Sequence, residues 1–219
     1  MVNLPNTDDR TVLMGSTGSG KTQAGIWLLS TRDYKRRPWF IIDFKGDKLI
    51  AGLVNIGAKI ISIDNPPPKE PGIYIVRPLP NEQEKLSQFF HDLYLMEFCG
   101  VFIDEATMTK RNDVWMRALL TQGRSKEIEL IILTQRPVWL DPYVFTEASF
   151  FGIFRLNSLD DRKHVRVYLG GLEPNLLPPY HWLWYMVNKQ HHVRFEPVPN
   201  AKKILSGFNL IPKKGAQKL

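Results

Sequence analysis

The stretch Gly15-Ser16-Thr17-Gly18-Ser19-Gly20-Lys21-Thr22 constrains this chain more than any other feature, because it fits G-x-x-x-x-G-K-[ST] at every fixed position. It follows an apolar run, Thr11 to Gly15, that reads as a short buried strand, and it opens Lys21 to Ser30, which reads as a helix. In that setting the glycines let the backbone curl until its N–H groups face phosphate oxygens, and the helix N-terminus adds partial positive charge. A chance match in a chain of this size has a probability of about 1%. A Gly/Ser-rich turn that merely caps a helix is the ordinary alternative, and the agreement of both flanks argues against it. Lys21 is then expected to reach the β- and γ-phosphates and Thr22 to ligate Mg²⁺. Residues Gly15 through Gly20, with Lys21, Thr22 and Gln23, form the expected binding set for ATP with Mg²⁺.

The rest of the chain alternates strands and helices. Strands are expected at Trp39–Asp43, Lys59–Ile63, Ile73–Val76, Val101–Ile103, Ile128–Leu133 and Phe150–Leu156, and helices over Gln83–Phe98 and Val114–Leu120. These strands are apolar without interruption, which fits a mostly parallel sheet covered by helices on both faces, an α/β fold. His181–Val187 and His191–Phe195 flank Asn188-Lys-Gln190 and read as a C-terminal hairpin. One ATPase domain over 1–197 and a basic tail or arm over 198–219 are the expected organisation.

Two further strand ends carry chemistry. Gly100-Val-Phe-Ile-Asp104-Glu105 ends in paired carboxylates, and strand alternation sends the two side chains in different directions. Asp104 is expected to hold Mg²⁺ through water beside Thr22, while Glu105 orients or deprotonates the attacking water. An acidic first turn of a helix is the plainer reading of the same residues. The strand Leu130-Ile-Ile-Leu133 runs into Thr134-Gln135-Arg136-Pro137, which places Gln135 near the γ-phosphate, since ligands of open parallel sheets sit beyond the strands' carboxyl ends. Arg124, after a helix, is the first choice for an arginine reaching into a neighbouring subunit's site, with Arg136, Arg155 and Arg162 as competitors.

Composition agrees with one soluble domain. The chain has 219 residues, 43% of them hydrophobic and 23% charged. No apolar run reaches the ~18–20 residues of a membrane-spanning helix. The polar N-terminus lacks the shape of a signal peptide, and Cys99 has no cysteine partner. Together these features favour an intracellular, reducing compartment. The formal charge is +7, and Lys202, Lys203, Lys213, Lys214 and Lys218 lie beyond Pro197 with no acid among them. Such a tail suits a polyanion, and equally a solubilising role.

The phosphate loop, the Asp104-Glu105 strand, Gly123-Arg124 and Ile131-Ile-Leu-Thr-Gln-Arg-Pro137 together resemble the DNA-pumping ATPases related to FtsK and HerA. Ile42-Asp43-Phe44-Lys45 is similar to that family's Asp-Pro-Lys stretch, with Phe44 in place of the proline, and Asn157-Ser-Leu-Asp-Asp-Arg162 matches its late helix start more loosely. A bare motor of this length is most similar to the genome-packaging ATPases of tailless, membrane-containing icosahedral DNA viruses. The resemblance implies a RecA-like P-loop fold of the ASCE type and a ring of identical subunits, often a hexamer, with double-stranded DNA passing through it. It also implies capsid or portal-vertex partners, a possible membrane-protein partner at the vertex, and residence in host cytoplasm and virion. Three alternatives stay open: a related secretion, conjugation or export motor, a small-molecule P-loop kinase, and a nucleotide-gated DNA-binding module that does not hydrolyse.

Several residues fit plainer roles. Trp182, Trp184, Tyr185 and Cys99 read as core, His191 and His192 lack further ligands at metal spacing, and Asp8-Asp9-Arg10 reads as an ordinary surface turn.

Overall fold

The computed structural model describes residues 4–172, 177–208 and 210. In chain order the elements are β1 (Arg10–Met14), α1 (Lys21–Ser30), β2 (Pro38–Asp43), α2 (Lys48–Gly52), β3 (Lys59–Ile60), β4 (Gly72–Val76), α3 (Gln83–Met96) and β5 (Gly100–Asp104). Then follow α4 (Val114–Gln122), β6 (Glu129–Thr134), α5 (Tyr143–Thr146), β7 (Phe150–Ile153), α6 (Leu159–Tyr168), β8 (Trp182–Met186), β9 (His191–Phe195) and α7 (Ala201–Gly207). The strands form a single sheet in the order β3-β4-β2-β5-β6-β1-β7-β8-β9. From β3 to β7 every pairing is parallel, and the β8–β9 hairpin extends the sheet antiparallel.

Every residue of β1, β2, β5 and β6 is buried, because helices cover both faces. Phe40 and Ile42 join Leu86, Phe89, Phe90 and Leu93 of α3 and Leu119 of α4 in one core. Trp39 and Ile41 face the other way, onto Ala24, Ile26, Leu28 and Leu29 of α1 and Ile50 of α2. Where β2 and β5 pair, Gly100 makes room for the Trp39 ring: a Cβ there would lie 2.2 Å from ring carbons. Trp182, Trp184, Tyr185 and Cys99 are buried, as expected of core.

The structure corrects several expectations. The strand expected over Lys59–Ile63 is shortened to Lys59 and Ile60, both exposed at the sheet edge, with one further bond from Ile61 N–H to Ile75 O (2.9 Å). The strand from Phe150 ends at Ile153, where its partner β1 gives way to the curled loop, and only single bonds follow, Phe154 N–H to Met14 O (2.8 Å) and Ser16 N–H to Arg155 O (2.9 Å). Arg10 is no surface residue. It lies buried in β1 and donates to the carbonyls of Leu119 (3.1 Å) and Leu120 (2.9 Å) near the end of α4, where a cation is favourable. Within the segment expected as a basic tail or arm lies α7, whose N-cap Asn200 accepts from Lys203 N and whose Ile204 packs into the core beside α1. Residues 211–219, with Lys213, Lys214 and Lys218, lie outside the described residues. Among the described residues, no helix is long and apolar enough to cross a membrane.

A buried charge cluster ties the starts of β2 and β6 to the end of α1. Glu129 accepts from Arg37 (2.7 Å) and Arg32 (3.2 Å), and Arg37 also holds Asp33 (2.6 Å) and the carbonyls of Thr7 and Glu127. Without Glu129, Arg37 keeps Asp33 and two carbonyls but loses a buried charge-assisted hydrogen bond, as does Arg32, so Glu129→Ala is expected to lower unfolding free energy by about 3 kcal/mol. Urea denaturation of the two chains measures this, and a loss well under 1 kcal/mol would show that the cluster contributes little.

Candidate active site

The site grows from the carboxyl ends of adjacent strands. After β1 the chain bends sharply. Gly15 N–H donates to Thr134 O (3.2 Å), which fastens the start of the loop to the end of β6. Gly18 and Gly20 adopt φ of 73° and 98°, so the curl uses backbone that L side chains rarely adopt. The loop then enters α1 directly at Lys21.

Lys21 is buried, and its Nζ donates to Ser16 O (3.3 Å) across the curl. Burial pushes its pKa down to about 8, and Lys45 nearby acts in the same direction, while Glu105 and Asp104 oppose the shift. The Ser19 hydroxyl is buried with no hydrogen-bond partner among the described residues, so this cradle presents a polar group ready for an incoming ligand oxygen. The Gln23 side chain instead turns to the C-terminal segment, donating to Pro199 O (2.7 Å).

Strand order explains the rest. β6 lies between β1 and β5, so Gln135, just past the end of β6, stands between the loop and the two acids. Its Oε1 accepts from Thr17 Oγ1 (2.5 Å), and its backbone N–H donates to Glu105 Oε1 (3.1 Å). Thr22 Oγ1 donates to Asp104 Oδ1 (3.2 Å). This pair of hard oxygen donors suits Mg²⁺, which takes few protein ligands and completes its shell with water and phosphate. Burial raises the Asp104 pKa to about 6, against the pull of Lys45 and the Thr22 hydroxyl.

Glu105 is set apart from its neighbour by backbone as well as by alternation. It sits just beyond β5 at φ 67°, in the left-handed region. Its carboxylate accepts from Lys45 Nζ (2.6 Å), Thr107 Oγ1 (2.7 Å) and the Gln135 backbone. Burial alone would raise its pKa, and these three hydrogen bonds outweigh burial and hold it below the ordinary value. Lys45 is the residue that the sequence reading did not place. Its signal was the Asp43-Phe44-Lys45 strand end, and Asp43 is itself anchored by Arg77 (3.0 Å).

Thus Lys21, Thr22, Asp104, Glu105 and Gln135 converge. Arg124 does not. It lies before the start of β6, at the opposite end of the sheet, 59% exposed, near Asp8 (3.7 Å) and Asp9 (3.8 Å) and donating to Ser149 Oγ (3.0 Å). Arg136 pairs with Asp161 (2.9 Å) and stacks on Trp139, and Arg162 donates to Leu156 O. A cation and two oxygen donors on one side of a phosphate cradle, with an ionised carboxylate and a carboxamide on the other, are the groups needed to bind a triphosphate and direct water at its terminal phosphorus.

No protein-family model matches the chain. It is 38% identical over 220 residues to the DNA packaging ATPase P9 of Enterobacteria phage PRD1, covering 95% of this chain and 96% of P9. In three dimensions it is similar to the genome packaging NTPase B204 of Sulfolobus turreted icosahedral virus 2, solved in complex with ATP-γ-S. The TM-score is 0.70 at 23% identity, over 89% of this chain and 100% of that one. The cytoplasmic domain of the type VII secretion ATPase EccC of Thermomonospora curvata is a more distant likeness, with a TM-score of 0.62 at 15% identity, over 89% of this chain and 24% of EccC. At these identities the two solved structures share the fold.

Proposed function

Because the chain belongs to the family of viral DNA-packaging ATPases that includes P9 of phage PRD1, we propose that it hydrolyses ATP to drive double-stranded DNA into a viral capsid. The carrying observation is the convergence of Glu105 and Gln135 on the phosphate loop from the side of β5 and β6. A nucleotide-gated module without turnover has no need of a water-activating carboxylate there.

In this reading the loop amides and Lys21 bind the β- and γ-phosphates. Thr22 and Asp104 would hold Mg²⁺, which when bound neutralises phosphate charge. Gln135 orients the attacking water, and Glu105 accepts its proton as the water oxygen bonds to the γ-phosphorus and ADP leaves. Glu105 accepts three hydrogen bonds, which leaves one carboxylate lone pair for that water. The working form is a ring of identical subunits at a capsid vertex, in which Arg124 completes the site of the next subunit. Its contacts to DNA fall on backbone phosphates, as sequence-independent transport requires.

ATP hydrolysis measured with and without linear duplex DNA tests this. Several-fold stimulation that weakens as salt rises is expected, since phosphate contacts release counterions. Turnover indifferent to DNA would point to an export motor, turnover dependent on a small acceptor to a kinase, and binding without turnover to a gated module. Each of these overturns the proposal.

A further inference from the structure

We propose that the hollow between the phosphate loop and the turn at 178–181 receives the base and sugar of the nucleotide, with Tyr180 as the stacking surface. This deepens the reading above and rests on it. The strand order gives the direction. Glu105 and Gln135 stand on the β5–β6 side of the loop, so a triphosphate whose γ-phosphate meets them runs back across the loop toward β7 and β8. On that side lies a cavity of about 300 Å³, walled by loop residues 16–19 and by Arg155, Asn157, Tyr180 and His181. Its volume is at the lower end for small-molecule sites.

One wall of the cavity is hydrogen-bonded directly to the loop. Ser16 N–H donates to Arg155 O (2.9 Å), and Asn157 N–H donates to Ser16 Oγ (3.1 Å). His181 fixes the opposite wall: its backbone N–H donates to Pro178 O (3.2 Å), and its ring contacts Pro179 O (3.0 Å) and Glu196 (2.8 Å).

Tyr180 is the anomalous member. It is a bulky residue at φ 63°, 58% exposed, on a turn that nothing in the proposed hydrolysis uses. Backbone strain of this kind persists where surrounding structure enforces it, and it clusters at ligand sites. The ring lies against the loop: its Cδ1 is 3.3 Å from where a Cβ on Gly20 would sit, so a side chain at that glycine would crowd it. An exposed aromatic face beside the phosphate cradle matches a flat heteroaromatic ring joined to a phosphate. Stacking accepts any base, because every base has a π-face.

The test uses the intact chain, with Tyr180→Ala and Tyr180→Phe, and calorimetric binding of ATP and of inorganic tripolyphosphate, which has no base. Tyr180→Ala should weaken ATP about tenfold and leave tripolyphosphate unchanged, whereas Tyr180→Phe should keep both near the parent values. Unchanged ATP affinity in Tyr180→Ala would place the base elsewhere. Equal losses for both ligands would mean that Tyr180 only supports the loop. If the parent chain binds neither ligand, the nucleotide reading itself fails, and this proposal with it.

Discussion

Glu105→Gln is expected to bind ATP with nearly the parent affinity and to lose about 10²–10⁴-fold of its turnover. The substitution keeps the shape of the side chain and removes its capacity to take a proton. Glu105 is well suited to that loss. Its hydrogen bonds from Thr107 and the Gln135 backbone fix the carboxylate's orientation, and its depressed pKa keeps it ionised near neutrality. Binding is expected to survive, because the groups that hold phosphate, Lys21 and the loop amides, belong to β1 and α1. The carboxamide gives up the ion pair with Lys45, yet that pair's lysine is partly exposed, so its loss costs little stability. Single-turnover hydrolysis alongside equilibrium nucleotide binding separates the two effects. Parent-level hydrolysis in Glu105→Gln would remove Glu105 as the base, and lost binding would assign it to the nucleotide cradle instead.

What the sequence disclosed and what it withheld divide along the range of the interactions concerned. The phosphate loop is local: one strand, one curl and one helix start, all inside a short window whose glycines and lysine have few other uses together. The apolar runs of β1, β2, β5 and β6 were equally legible, because strands buried on both faces cannot alternate. Strand order was not. That β6 separates β1 from β5 is a matter of long-range pairing, and it is this order that sets Gln135 between Thr17 and Glu105. Lys45 was hidden for the same reason, since it meets Glu105 only because β2 pairs with β5 in register, Asp43 beside Asp104. Arg10 looked like surface because charged residues seldom lie buried, and its burial is made tolerable by carbonyls of α4 and of Asp8 that accept from its guanidinium. The short α7 was masked by its lysines. Its Asn200 cap and the spacing of Ile204 and Phe208 were present, but the surrounding prolines and charge suggested a solvated tail.

Arg124→Ala is expected to reduce turnover by about 10³–10⁵-fold, the range seen when a trans-acting arginine is withdrawn. Distance makes an action within its own subunit untenable. β6 is six residues long, and Arg124 precedes its start while Gln135 follows its end. At the ordinary rise per residue that separation is about 20 Å, well beyond the span of one side chain. The residue is exposed, and its one close contact is an exposed hydrogen bond to Ser149 Oγ (3.0 Å), with carboxylates farther off at 3.7 Å and 3.8 Å, so its guanidinium can exchange partners. A catalytic part for Arg124 therefore requires another copy of the chain, and this makes a complementation experiment decisive. Lys21→Ala subunits retain Arg124 but cannot bind phosphate productively, whereas Arg124→Ala subunits retain a sound loop. Each is expected to be inactive alone. In a randomly mixed ring about one site in four pairs an intact loop with an intact arginine from its neighbour, so mixing should restore a measurable fraction of parental hydrolysis. Native mass spectrometry of the same mixture establishes that both chains share assemblies. Shared assemblies with no recovered activity would show that Arg124 serves the interface or the fold and that the neighbour's phosphate is neutralised by another group.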